Sequence, residues 1–223
     1  MKYALYILLI IFLKTNFCFC QSAKIIHKEM YTSSKSAEAK ECFNKGAKYF
    51  DGHNYTKAIE SYEQAIIIDN NFIDAYDNLG LSFRHAGNLD SSEYYYQVSI
   101  RKYPKGTVAL RNIGVLEVQR KNYGRATDYY NKALAIDSKD AEAYFGLSRV
   151  YSLSNNIPEA IKNGLLAEQY YKETNDPNIG DCYILLAMMY SVQHDKPKSQ
   201  KYLALAQGTG MKIDQRYIDL INK

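Results

Sequence analysis

Tryptophan is absent from the 223 residues, and proline and cysteine occur only four times each. Four prolines and twelve glycines leave few breakers, which favours long helical stretches. The cysteines show no C-x-x-C spacing, which argues against a zinc finger, a dithiol redox motif and a disulfide framework. A dominant charge is also missing. Twenty-eight basic against 24 acidic residues give +4, too mild for the concentrated basic footprint of a nucleic-acid binder. There is no H-E-x-x-H, G-x-S-x-G, Walker loop or paired-carboxylate arrangement. His27, His53, His85 and His194 are isolated and read as turn and surface residues. No catalytic, metal-binding or cofactor-binding residue is therefore expected, no small-molecule substrate is evident, and no enzyme activity is expected.

What is present is a folding composition, 47% hydrophobic and 23% charged. The 22 tyrosines, each a large ring with a polar tip, suit half-buried seams between elements better than one deep core.

The first twenty residues, "MKYALYILLIIFLKTNFCFC", read as a segment apart. Lys2 precedes an apolar run from Tyr3 to Leu13, too short for a membrane span of roughly 20 residues. Small residues at Cys18 and Cys20 before Gln21 fit a signal-peptidase site, so residues 1–20 are expected to be a cleaved signal peptide. The expected destination is the periplasm or the exterior. A lipid or membrane anchor at the N-terminus is the alternative, opposed by phenylalanine before each cysteine. Cleavage would remove Lys2 and Lys14 and no acid, lowering the net charge from +4 to +2. Residues 21–35 lack periodicity and are expected to form a flexible leader.

From residue 39 the chain repeats. "NYTKAIESYEQAIIID" at 54–69 returns as "NYGRATDYYNKALAID" at 122–137, with weaker copies at 88–103 and 156–171, a period of 34 residues. The stretches between them, 39–50, 73–84, 107–118 and 141–152, repeat as well. Each carries apolar residues three and four apart, the mark of one helix face. The stripes run Cys42, Gly46, Tyr49; Tyr76, Leu79, Gly80, Phe83; Leu110, Ile113, Gly114; and Tyr144, Leu147, Ser148, Tyr151. Glu117 stands where the third stripe should end in an aromatic ring. A fifth pair follows an insertion at 174–178, with Tyr183, Leu186, Ala187 and Tyr190 on its first helix.

Each unit thus reads as helix, short turn, helix. Asn or Asp in the turns is suited to cap the second helix, and Pro158 and Pro197 fall in first turns where a missing N–H costs nothing. Glycine inside a helix costs up to about 1 kcal/mol against alanine, so Gly46, Gly80 and Gly114 at a fixed period imply close helix contact. Ala58, Ala126 and Ala160 are small on the partner helix, and Tyr62, Tyr96 and Tyr130 fill the gap to the next unit. The isolated "NYT" at 54–56 matches a glycosylation sequon, which matters only in a eukaryotic secretory route.

This pattern resembles the tetratricopeptide repeat across residues 39 to about 211, although it never uses tryptophan and Gly164 replaces one of the spacer tyrosines. The resemblance implies an all-α, right-handed superhelical solenoid of about five repeats, near 39–72, 73–106, 107–140, 141–173 and 180–211. Together they make a domain at 36–211, closed by a capping helix at 212–223. Cys42 is expected to be a buried structural thiol. Stacked repeats would also hold it far from Cys182, beyond the Cα separation of about 7 Å that a disulfide allows.

In that family the first helices of successive repeats line a groove that holds a partner peptide. Residues one step beyond the packing stripe share that face: Phe43 and Phe50; Asp77, Leu81 and Arg84; Arg111, Val115 and Val118; Phe145 and Arg149; and Met188. The mixture of apolar groups with three arginines suggests a segment with apolar anchors and acidic residues. The lysine-and-asparagine clamp that some members use for chaperone C-termini is missing. Phe43 and Ala47 occupy its first places and Val108 and Asn112 its last, and only Asn78 fits. The expected function is that of an exported scaffold or adaptor with a protein partner. The alternatives are a self-associating structural protein, through tyrosines such as Tyr94, Tyr95 and Tyr129, or a non-catalytic subunit of an envelope complex.

Overall fold

The computed structural model describes residues 34–222, and among them every regular element is an α-helix. The helices are α1 (Ala37–Asp51), α2 (Tyr55–Ile68), α3 (Ile73–His85), α4 (Leu89–Lys102), α5 (Val108–Gln119) and α6 (Tyr123–Ile136). They continue with α7 (Ala141–Leu153), α8 (Ile157–Thr174), α9 (Ile179–Val192), α10 (Lys196–Gly208) and α11 (Gln215–Asn222). The fold is all-α, with the alternation of paired helices that the period of 34 requires. The expected signal peptide at 1–20 and all but the last residues of the expected leader lie outside the described residues. Ser34 is buried and its Oγ donates to Asp69 Oδ2 at 2.5 Å, which fastens the chain before α1 to the end of α2.

Two compact units divide between Ile136 and Asp137. In the N-terminal unit, α1 to α6 pack each on the next, and the first helices α1, α3 and α5 also touch side by side. In the C-terminal unit, α7 to α11 do the same, with α9 touching α7, α8, α10 and α11.

The turns explain why the pairs are so regular. Asn54, Asn88, Asn156 and Asp195 cap α2, α4, α8 and α10. Their side-chain oxygens accept from the backbone N–H three residues on, at 3.2, 3.1, 3.4 and 3.1 Å. Directly before each cap stands a left-handed residue: His53 at φ 58°, Gly87 at 84°, Asn155 at 60° and His194 at 62°. Lys121 holds the same place at φ 62°. Two of the four histidines are therefore turn residues, in a conformation that only glycine adopts without cost. Asn122, in the same place before α6, donates its Nδ2 to Glu117 Oε2 at 2.9 Å.

Within a pair, the small residues do what the period implied. A Cβ placed on Gly46, Gly80 or Gly114 would lie 2.8 Å from a ring carbon of Tyr62, Tyr96 or Tyr130. Those rings are 0%, 0% and 2% exposed and have no room to move away. In the fourth pair, where Gly164 replaces the tyrosine, Leu186 from α9 fills the space beside it, 2.8 Å from where a Cβ would stand. Ser148 replaces the usual glycine, and its Oγ donates across the pair to the Ala160 carbonyl at 2.6 Å. Ser199 repeats this toward Ala187 at 2.9 Å.

Candidate functional site

Because each first helix buries one stripe against its partner, a second stripe turns to the inner side of the unit. The residues expected to line that side are deeper than an open surface would place them. Phe43, Asp77, Arg84, Phe145 and Met188 are buried, and Phe50, Leu81, Arg111, Val115, Val118 and Arg149 are half-buried. The clearest correction is Phe43. Its ring packs at 5.3 Å from Tyr62 and 4.9 Å from Phe72, as part of the interior between the first two pairs. Cys42, assigned to the packing stripe, is instead half-buried. Phe50 packs edge-on against Tyr55 at 5.5 Å and His85 at 4.9 Å. Phe145 and Met188 belong to the apolar core of the C-terminal unit.

The N-terminal unit places a polar row on the inner side of α3 and α5. Asp77 is 6% exposed, and burial pushes its carboxyl up to about 7. A hydrogen bond from Ser99 and the attraction of Arg111 oppose that rise, while Asp74 adds to it. Asp77 Oδ1 has no hydrogen-bond partner among the described residues. His85 is held down at about 4 by burial and by the nearby positive charge of Arg84, so it is neutral at pH 7. Asn78, the one place that matched the chaperone clamp, spends its amide on the Asp74 carbonyl at 2.8 Å.

The C-terminal unit has a different inner face. Phe145 and Arg149 come from α7, with the guanidinium 5.9 Å from the ring centre. Ile184 and Met188 come from α9. Two acids stand in the first turns of these helices, Glu142 on α7 and Asp181 on α9. Asn178 Nδ2 donates to Glu142 at 3.1 Å. Burial, then the neighbouring Glu142 charge, raise Asp181 to about 6, with Arg149 pulling the other way. Sequence reasoning passed over both acids because a lone carboxylate in a first turn is an ordinary helix-terminal residue. Their pairing appears only when α7 and α9 lie side by side.

Sequence reading also missed what Glu117 does. It is fully buried at the place of the missing aromatic ring, and its carboxylate is met by Arg120 at 3.0 Å, Arg125 at 3.5 Å and Asn122 at 2.9 Å. Arg120 also binds Asp90 at 2.8 Å and pairs with Glu93. A charged knot thus joins α4, α5 and the turn into α6. Among the described residues Cys42 and Cys182 are free thiols, and burial pushes the Cys182 thiol up, which disfavours its thiolate. Among the described residues no cluster of metal-ligating side chains occurs, and no helix is long and apolar enough to cross a membrane.

Models of the tetratricopeptide repeat match this chain twice. One, described as a TPR repeat, covers residues 46–85, and another, described as a tetratricopeptide repeat, covers 117–162. Among curated proteins, anaphase-promoting complex subunit 3 of Schizosaccharomyces pombe is 23% identical over 161 residues. The match takes in 72% of this chain but only 24% of that protein, so the chain corresponds to a part of it. A photosystem I assembly protein Ycf3 of Prochlorococcus marinus is 27% identical over 147 residues, 62% of this chain and 83% of that one. Among solved structures, the Pseudomonas aeruginosa pilF protein superposes with a TM-score of 0.69 at 16% identity, covering 82% of this chain and 81% of that one. The paired-helix fold is thereby shared with a solved structure of low sequence identity.

Proposed function

We propose that this chain is a non-enzymatic tetratricopeptide scaffold that holds a segment of a partner protein along the inner faces of its first helices, and that it works after export, in the periplasm or outside the cell. The observation that carries the reading is a contrast between copies. The residues that build the pairs recur, as in Gly80 with Tyr96 and Gly114 with Tyr130. The residues of the inner faces do not: Asp77, Leu81 and Arg84 on α3 correspond to Arg111, Val115 and Val118 on α5. Variation on that face of a repeated frame is what a recognition surface needs. Two relatives, one named as a subunit of a complex and one as an assembly protein, support the interaction class. The mixture of valine, leucine and arginine suits a partner segment with apolar anchors and carboxylates. Export is supported by the lysine, apolar run and small-residue pattern of residues 1–20.

The test is the triple variant Arg84→Glu, Arg111→Glu, Arg149→Glu with partner recovery after crosslinking in the native cell. Loss of the partner with helicity intact supports the reading, and unchanged recovery sinks it. Self-association through tyrosines is less well supported. Tyr94 is 60% exposed, but Tyr95 stacks on Phe83 at 5.4 Å, and Tyr129 accepts from Gln97 at 3.1 Å.

A further inference from the structure

Tyr76, Tyr144 and Tyr183 hold one place on the first helices of the second, fourth and fifth pairs, twelve residues before the turn Asn or Asp. Fourteen residues after that turn residue stand Lys102, Tyr170 and Thr209. In the second pair Lys102 Nζ lies 5.4 Å from the Tyr76 ring centre, and in the fourth Tyr170 stacks on Tyr144 at 5.6 Å and 24°. In the fifth pair the small Thr209, preceded by Gly208, stands where a cover would be. A cavity of about 580 Å³ opens there, lined by Ile179 and Tyr183 of α9, by Lys201, Ala204 and Leu205 of α10, and by Thr209. It faces solvent: Lys201, Ala204, Gly208 and Thr209 are exposed, and Ile179 and Leu205 are half-buried. One wall is fixed by close packing. A Cβ on Gly180 would lie 2.9 Å from Met211 Sδ and from Thr209 Oγ1, and that hydroxyl donates to the Ala206 carbonyl at 2.7 Å. Charge changes at the same place. α8 pairs Lys162 with Glu159 at 3.3 Å, and their counterparts on α10 are Lys201 and Lys198, so the acid is gone. Lys198 pairs instead with Asp195 at 2.8 Å. Lys201 makes no ion pair among the described residues, and its Nζ lies 5.6 Å from the Tyr202 ring centre.

We propose that this cavity binds an aromatic side chain of a partner protein, with a carboxylate beside the ring held by Lys201. Three observations select this occupant. The fourth pair shows what fits the place, since the Tyr170 ring lies there against Tyr144. The walls suit a ring: Tyr183 offers an aromatic surface and Ile179 and Leu205 apolar sides, and aromatic pairs gain more than their buried area alone gives. The volume lies in the usual range of ligand sites and exceeds that of one ring, which leaves room for a neighbouring residue. The uncompensated ammonium of Lys201 favours an acid in that room over a wholly apolar segment. None of the residues proposed for the inner faces lines this cavity. The inference therefore goes beyond the scaffold reading and does not rest on it.

The chain has no tryptophan, so a short peptide with one tryptophan between two aspartates reports its own binding by fluorescence anisotropy when titrated with the full chain. A saturable rise is expected. Thr209→Tyr, which sets a ring where the fourth pair has one, should weaken binding about tenfold or more, and so should Lys201→Glu, with helicity unchanged in both. The chain carrying Arg84→Glu, Arg111→Glu and Arg149→Glu should bind the peptide as the unaltered chain does. Peptides with asparagine for aspartate, or leucine for tryptophan, should compete about tenfold less well than the parent peptide. No saturable binding by the unaltered chain, or equal binding by either the Thr209→Tyr or the Lys201→Glu chain, would overturn the proposal. Equal competition by the leucine peptide would overturn it by identifying a plain apolar segment as the occupant. Loss of binding in the arginine variant would do so by moving the peptide to the inner faces. Light scattering at the same concentrations covers the remaining occupant: a dimer that Thr209→Tyr dissociates would overturn the proposal in favour of a second copy. Failure here leaves the scaffold reading standing, because Lys201 and Thr209 are no part of it. Unchanged partner recovery with the arginine variant in the native cell would likewise leave this cavity untouched.

Discussion

Gly80 and Gly124 are both helical glycines, yet they should respond to alanine in opposite directions. At Gly80 a methyl would sit 2.8 Å from the Tyr96 ring, which is fully buried, while at Gly124 nothing lies within 4 Å. Overpacking costs about 1–3 kcal/mol and the helix-propensity gain is about 1 kcal/mol. Gly80→Ala should therefore lower stability by up to about 2 kcal/mol, whereas Gly124→Ala should raise it by about 0.5–1 kcal/mol, both read from urea unfolding. The first half of this was legible in the sequence, since a costly glycine repeating with a spacer tyrosine implied contact. The fate of Asp77 was not, because nothing in a linear pattern tells how deep a carboxylate will sit. Its pKa is raised to about 7 in the fold against an ordinary value of 3.8. The protonated form is thus favoured by folding, and that contribution to stability is complete below pH 3.8 and lost as pH rises toward 7. Asp77→Asn, which keeps an acceptor for Ser99, should then stabilise the N-terminal unit by about 1 kcal/mol or more at pH 8. The gain should vanish at pH 4. An equal effect at both pH values would show that the carboxylate is not desolvated as described.

The helix pairs themselves follow from elements that were readable: apolar stripes three and four residues apart, Asn or Asp before the second helix, and small residues where the pair closes. Departures from the pattern were visible as departures, but their compensations were not. Glu117 is the clearest case. As a lone acid in an aromatic position it looked like a weak repeat, whereas in the folded chain Arg120, Arg125 and Asn122 converge on it from the following turn and α6. Removing one member of a buried ion pair strands the other, at about 3 kcal/mol, while replacing both by apolar groups costs much less. Arg120→Ala should therefore destabilise by about 3 kcal/mol, and the double change Glu117→Leu with Arg120→Leu by clearly less. Thermal and urea unfolding of the two variants check this, and equal losses would show that the knot contributes only packing. In the fourth pair, Gly164 in place of tyrosine is matched by Leu186 and Ser148 on neighbouring first helices. The sequence shows only the gap, since the residues that fill it are twenty-two positions later and sixteen earlier.

At the scale of the whole molecule, two units of paired helices each present an inner face. The residues proposed for recognition lie on those faces at depths that sequence spacing could not give. The period fixed which helix side they share, but the burial of Phe43 between the first two pairs and of Met188 in the C-terminal core depends on packing between helices. The same holds for Glu142 and Asp181, which are 39 positions apart and meet only through α7 and α9. The central claim is that a protein partner is held by these inner faces. Its most direct measurement is partner recovery after crosslinking in the native cell, compared between the unaltered chain and Arg84→Glu, Arg111→Glu, Arg149→Glu, with circular dichroism confirming equal helicity. The account predicts at least about a tenfold loss of the partner in the variant, as expected when several charge-assisted contacts reverse sign. Equal recovery from the two chains would contradict it.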